Sequence, residues 1–223
     1  YCSYCSSFAE KSFSSTPSRK VRESGFPGEE FQISTGHTVK SSISMCAINE
    51  VRKWEINTET HIVNSSATWP AESLIKYIMR DENGKILITY QDVFGRTILQ
   101  RKPIHNTGLD QNFRYTDESS NQITNETELS SPNLYFVDNY YVYDEFDRLC
   151  IEVTPLMIEH FQKNEAAGIS NPYKFSYQYS STAPQYSVFL GYGKGTIYDK
   201  RSRVTGSKSP DAEWTYLIYD ELN

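Results

Sequence analysis

From Leu74 onward apolar and polar side chains alternate with a period of two, the mark of strands with one buried face. Ile86, Ile88 and Tyr90 fall on a single face. Tyr141 and Tyr143 point one way and Tyr140 and Val142 the other, and after the next turn Leu149, Ile151 and Val153 alternate with Cys150 and Glu152. Trp214, Tyr216 and Ile218 alternate with Leu217 and Tyr219 in the same manner. Residues 1–70 have shorter apolar runs, punctuated by Thr16-Pro17-Ser18, Gly25-Phe26-Pro27-Gly28 and Ser34-Thr35-Gly36. Such punctuation joins short strands through turns, and strands are expected at Val39–Ile43 and Val51–Ile56. One window has a helical pattern: Thr154 can cap, Pro155 suits the first position, Leu156, Met157, Ile158 and Phe161 share a face, and Gly168 can close the end. The pattern predicts an all-β chain of sequential antiparallel hairpins with one short helix near 155–168. Residues 105–133 have too few apolar residues to pack and read as a long exposed loop.

A self-similar unit recurs within this pattern: an aromatic-rich strand, an Asp, three residues, then a basic residue opening another apolar strand. The copies are Asp81-Glu82-Asn83-Gly84-Lys85, Asp92-Val93-Phe94-Gly95-Arg96, Asp144-Glu145-Phe146-Asp147-Arg148 and Asp199-Lys200-Arg201-Ser202-Arg203. A fifth, Tyr219-Asp220-Glu221-Leu222-Asn223, stops where the basic residue is due. An Asp at the first position of a turn accepts main-chain N–H bonds from two residues on. The fourth position tolerates a left-handed backbone when it is Gly, Asn or Asp, and Gly84, Gly95, Asp147, Ser202 and Asn223 stand there. Each copy is therefore expected to be a hairpin turn of three to five residues. The copies are unevenly spaced, which predicts hairpins of variable length with insertions rather than a strict solenoid.

Tyr143-Asp144-x-x-x-Arg148-Leu149, Tyr198-Asp199-x-x-x-Arg203-Val204 and Tyr219-Asp220 resemble the tyrosine-aspartate (YD) repeats of the rearrangement hotspot (Rhs) family of very large bacterial secreted and surface proteins. Arg22-Glu23-Ser24-Gly25-Phe26-Pro27-Gly28, Gly36-His37-Thr38-Val39 and Asn49-Glu50-Val51-Arg52-Lys53-Trp54 are similar to the region preceding the repeats in a subgroup of that family. Tyr90 departs by standing two residues before Asp92, and Arg80 replaces the aromatic before Asp81. The resemblance implies a pre-repeat β region over residues 1–70 and a YD-repeat segment over 71–223, truncated at its C-terminus. It also implies a sheet spiralling into a hollow shell that encloses or presents a C-terminal toxin or effector in some members. By the resemblance Tyr143, Tyr198 and Tyr219 become sheet-packing residues and Asp92, Asp144, Asp199 and Asp220 turn formers; the strand face and the turn spacing alone put Tyr90 and Asp81 in the same two roles. The location implied is secreted or at the bacterial cell surface. The expected partners are the remainder of the same polypeptide, or a protein that covers the strand edge left by a chain stopping inside a repeat.

Composition narrows the partners further. The 223 residues carry 22 Lys+Arg against 28 Asp+Glu, a net charge of −6, with no long basic run, so nucleic acid is not an expected partner. No apolar stretch is long enough to span a bilayer. The chain begins at Tyr1 without a signal-peptide pattern and reads as an internal or processed fragment.

Candidate chemistry is sparse, and no cofactor or metal is predicted. Cys2 and Cys5 form a C-x-x-C, yet no second pair supplies four zinc ligands, and the Ser-rich flank is not the strand and helix of a redox motif. His37, His61, His105 and His160 are scattered. Asp144, Glu145 and Asp147, or Asp117 with Glu118, offer paired carboxylates of the kind glycosidases use. Turn formation already accounts for the first group, and no enzyme is predicted. Gly191-Tyr192-Gly193-Lys194-Gly195 lacks the spacing of a phosphate loop and reads as a flexible connection between hairpins. The rival to a structural wall is a glycan-binding or adhesive module stacking sugars on Trp69, Tyr115, Tyr140 and Tyr192.

Overall fold

The computed structural model describes residues 9–13, 20–33, 37–105, 134–179 and 182–220. Among them the chain is chiefly antiparallel β-sheet, as the alternation predicts, and it divides into two compact units that interleave along the sequence.

The first unit comprises Leu74–Gly95 with the described parts of Tyr1–Met45 and Gln100–Val137. Its strands are β1 (Lys11–Phe13), β2 (Val21–Ser24), β3 (Val39–Met45), β6 (Ile75–Arg80) and β7 (Ile86–Gln91), hydrogen-bonded in the order β1-β2-β3-β6-β7. The period-two reading of β7 appears in its burial: Ile86, Ile88 and Tyr90 are buried and the residues between them half-buried. Burying one such side chain stabilises by roughly 1.5–3 kcal/mol. Around Gly25-Phe26-Pro27-Gly28 the loop closes on itself, with Gln32 Nε2 donating to the carbonyls of Phe26 and Gly28 at 3.0 and 3.2 Å.

The second unit comprises Cys46–Ser73, Arg96–Leu99 and Asp138–Asn223. Strand β4 (Arg52–Asn57) pairs with β5 (Ile62–Thr68), and β5 with β11 (Lys174–Ser176), forming a three-stranded sheet. A second layer runs β9 (Leu134–Tyr143), β10 (Leu149–Val153), β12 (Lys194–Tyr198), β13 (Val204–Lys208) and β14 (Thr215–Tyr216). Strand β8 (Thr97–His105) and β9 each contribute residues to both units. Rings of Trp54, Phe161, Phe175, Phe189 and Trp214 follow one another at centroid separations of 6.0, 5.6, 5.7 and 6.2 Å and form the unit's aromatic core.

Helix α1 (Pro155–Ala166) lies where its signals put it, with Met157, Ile158 and Phe161 buried, whereas Leu156, expected on the same face, is 56% exposed. Its C-terminus closes as expected. Gly168 adopts φ 73°, its N–H donates to Glu165 O, and Ile169 N–H reaches back to Asn164 O, satisfying carbonyls that the last turn would leave bare. Thr154 does not cap with its side chain; its Oγ1 donates to Tyr192 O at 2.8 Å.

Three expectations are corrected. A second helix, α2 (Tyr186–Tyr192), stands where only strands and a flexible link were expected. Gly193 and Gly195 are not hinge residues in such a link. A Cβ at Gly193 would sit 2.2 Å from the Phe189 ring, and one at Gly195 2.8 Å from the Trp214 ring, so both glycines permit close approach of core aromatics. The strand expected over 214–219 shortens to β14, where Thr215 and Tyr216 pair with β13, and Ile218 beyond them is 97% exposed. The polar segment 105–133, apart from His105 at the end of β8, lies outside the described residues, as do Cys2, Cys5 and Glu221-Leu222-Asn223.

Candidate functional site

The four described Asp-led pentads are turns that share the bond from the fourth residue's N–H to the Asp carbonyl. In the third, Asp144 Oδ1 accepts from the N–H groups of Phe146 and Arg148 at 2.9 and 3.0 Å. Asp147 N–H donates to Asp144 O, and Asp144 N–H to Arg148 O. The fourth repeats this: Asp199 Oδ1 accepts from Arg201 and Arg203 N–H at 2.8 and 2.9 Å, and Ser202 N–H bonds Asp199 O. Asp81 accepts from Asn83 and Lys85, and Asp92 from Phe94, in the same sense. The fourth residue is left-handed in each of the four described copies, with φ of 84° at Gly84, 80° at Gly95, 62° at Asp147 and 61° at Ser202. A turn followed by one left-handed residue makes a bulged hairpin, and the pairing register shifts right after it, between Leu149 and Ile151.

In the third and fourth turns the closing Arg folds back on its own Asp. Arg148 Nε and Nη2 donate to Asp144 Oδ2 at 2.7 and 2.6 Å, and Arg203 does the same to Asp199 at 2.8 Å each. Burial drives the Asp144 carboxyl upward, but the Arg148 guanidinium and the Arg148 and Phe146 amides outweigh it and hold the group below its ordinary value. For Asp199 the Arg203 amide is the leading cause of a lowered value.

The remaining face of each Arg meets the next repeat. The Arg148 guanidinium lies 4.8 Å over the Tyr198 ring, and Tyr198 Oη donates to Leu149 O at 3.0 Å. One repeat earlier, Arg96 lies 5.2 Å over Tyr143, whose hydroxyl donates to Thr97 O at 3.0 Å. One repeat later, Arg203 lies 4.3 Å over Tyr219, whose hydroxyl donates to Val204 O at 2.8 Å. Each Arg also reaches the left-handed residue of the following turn where that turn is described: Arg96 bonds the Asp147 carboxylate, and Arg148 Nη1 bonds Ser202 Oγ at 3.2 Å and Asp199 O at 3.1 Å. The YD dipeptide is thus half of a joint whose other half is the basic residue of the preceding repeat.

The sequence singled out these Tyr, Asp and Arg residues but not their pairing across repeats; the consistent Tyr-Asp-x-x-x-Arg order was the available signal. Tyr90 and Arg80 stand outside the scheme. Tyr90 is fully buried, with Lys76 and Arg101 cations 5.6 and 5.9 Å from its ring. Asp220 is exposed at the end of the described chain.

Among the other candidate residues, Cys2, Cys5, Asp117 and Glu118 lie outside the described residues. Asp144 is committed to Arg148, whereas Glu145 and Asp147 are largely exposed. Burial and the neighbouring Asp144 charge push the Cys150 thiol up to about 12, which removes its thiolate at neutral pH. No group of three or more His, Cys, Asp or Glu suited to a metal occurs among the described residues. Of the proposed sugar-stacking aromatics, Tyr140 is buried at 2% exposure, Trp69 is half-buried, Tyr192 is 39% exposed, and Tyr115 lies outside the described residues. No helix among the described residues is long and apolar enough to cross a membrane. No family model matches the chain, and no curated protein matches it either.

Proposed function

We propose that this chain is a non-enzymatic wall segment of a large YD-repeat, Rhs-like bacterial protein, secreted or displayed at the cell surface. One observation carries the reading: the joint of Tyr hydroxyl, preceding-repeat carbonyl and preceding-repeat Arg recurs at Tyr143, Tyr198 and Tyr219 with the same partners. A joint made between repeats rather than within them serves to propagate a sheet. The Asp144 and Asp199 carboxylates accept from turn amides and from their own Arg and are held below the ordinary carboxylate value, which makes them weak bases at neutral pH. Further hairpins of the same polypeptide, enclosing or presenting an effector, are the partners this reading calls for. Electron microscopy of the natural protein containing this segment tests it. A hollow shell with this segment in its wall is expected; a solid globular enzyme, or a segment standing outside any shell, would contradict it.

A further inference from the structure

Two cavities in the second unit occupy equivalent positions in successive repeats. The first, about 330 Å³, is lined by Arg96, Ile98, Tyr141, Tyr143, Asp144 and Glu145, together with Trp69 and part of β4. The second, about 400 Å³, is lined by Arg148, Cys150, Thr196, Tyr198, Asp199 and Lys200, together with Thr58, His61 and Tyr177. Counted from the closing Arg of one turn and the Asp of the next, the six positions correspond one to one. The first cavity sits on β8 and β9 and the second on β10 and β12, strands that follow one another in the order β8-β9-β10-β12. The cavities are therefore two strand spacings apart, about 9.6 Å.

That interval selects a ligand geometry. A polyproline II helix brings the same face round every three residues, about 9.3 Å, whereas a β-strand does so every two residues, about 6.7 Å. Polyproline segments dock on aromatic walls and have no internal hydrogen bonds, so their carbonyls need donors from the receptor. The walls are here: Trp69 and Tyr143 in one cavity, Tyr177 and Tyr198 in the other. Phe146, beside the second, is 66% exposed. Tyr177 is only 6% exposed, lines the second cavity, and its hydroxyl makes no hydrogen bond among the described residues. Charge then sets the register. The residue after each turn-forming Asp is Glu145 in one cavity and Lys200 in the other, both exposed and neither ion-paired among the described residues.

We propose that the two cavities form one binding site for a proline-rich peptide in the polyproline II conformation, with a basic residue against Glu145 and an acidic residue three positions away against Lys200.

Fluorescence anisotropy of the whole chain with labelled Pro-Pro-Arg-Pro-Pro-Asp-Pro-Pro tests this, alongside a peptide with one proline removed between Arg and Asp and a third with Asp in place of Arg. Saturable binding of the first is expected, weaker binding of the shortened one, and a loss of about fivefold in Tyr177→Phe, the loss of one hydrogen bond. Glu145→Lys, at an exposed turn position, should move the preference to the peptide with two Asp. No binding, equal binding of the two spacings, or an unchanged preference in Glu145→Lys would overturn the proposal. So would an acidic tetrasaccharide that binds saturably where the peptides do not.

Discussion

Tyr198 donates its hydroxyl to the carbonyl of Leu149, a residue 49 positions earlier that directly follows the Arg whose guanidinium covers the same ring. Two hairpins are thereby fastened by a bond that neither makes alone. Replacing Tyr198 with Phe keeps the ring under Arg148 and deletes only the bond, so a loss of about 0.5–1.5 kcal/mol is expected in denaturant unfolding. Tyr143→Phe should cost a similar amount, because its bond to Thr97 is the same length.

Asp144 supports the third turn in a different way. Its side chain is 1% exposed and paired to Arg148, so Asp144→Ala leaves Arg148 Nε and Nη2 and two turn amides without their acceptor. A loss of about 3 kcal/mol or more is expected, measured by thermal or chemical unfolding.

The acid sensitivity of the fold follows from the same group. In the unfolded chain Asp144 titrates near 3.8 and in the folded chain below it. The unfolded state therefore takes up the proton first as pH falls. The contribution is complete above the unfolded value and disappears as pH drops through it toward the folded value. Asp199, also lowered, acts in the same direction. Asp144→Asn should flatten the decline of stability below about pH 4 relative to the parent, as urea midpoints across pH 2–6 would reveal.

Gly95 isolates the backbone term. It holds φ 80°, and a Cβ there would have no atom within 4 Å, so Gly95→Ala adds strain without a clash. A loss of about 1–2 kcal/mol is expected from calorimetry.

Turns and strand faces were legible in the sequence because both are local. Asp at the first position and Gly, Asp or Ser at the fourth reflect bonds within five residues, and the alternation at Ile86, Ile88 and Tyr90 reflects one strand's own pleat. What was not legible depends on distant chain. Helix α2 begins after Gln185, itself left-handed and without a side-chain cap, so no start signal precedes it. Strand β11 is three residues long and pairs with β5 across more than a hundred residues. Lys208 is of a residue type almost never fully buried, yet it is buried, and its ammonium donates to the carbonyls of Leu190, Gly193 and Ser209 at 2.7, 3.1 and 3.0 Å. Only the folded path of α2 brings those acceptors together.

The joint between repeats is tested most directly by a double-mutant cycle on Arg148 and Tyr198, using Arg148→Ala, Tyr198→Phe, Tyr198→Leu and the combined variants. If successive hairpins are fastened through this pair, the losses of Arg148→Ala and Tyr198→Leu will overlap, with a coupling energy of about 0.5–2 kcal/mol. Losses that simply add would mean that each turn stands alone, contradicting the account.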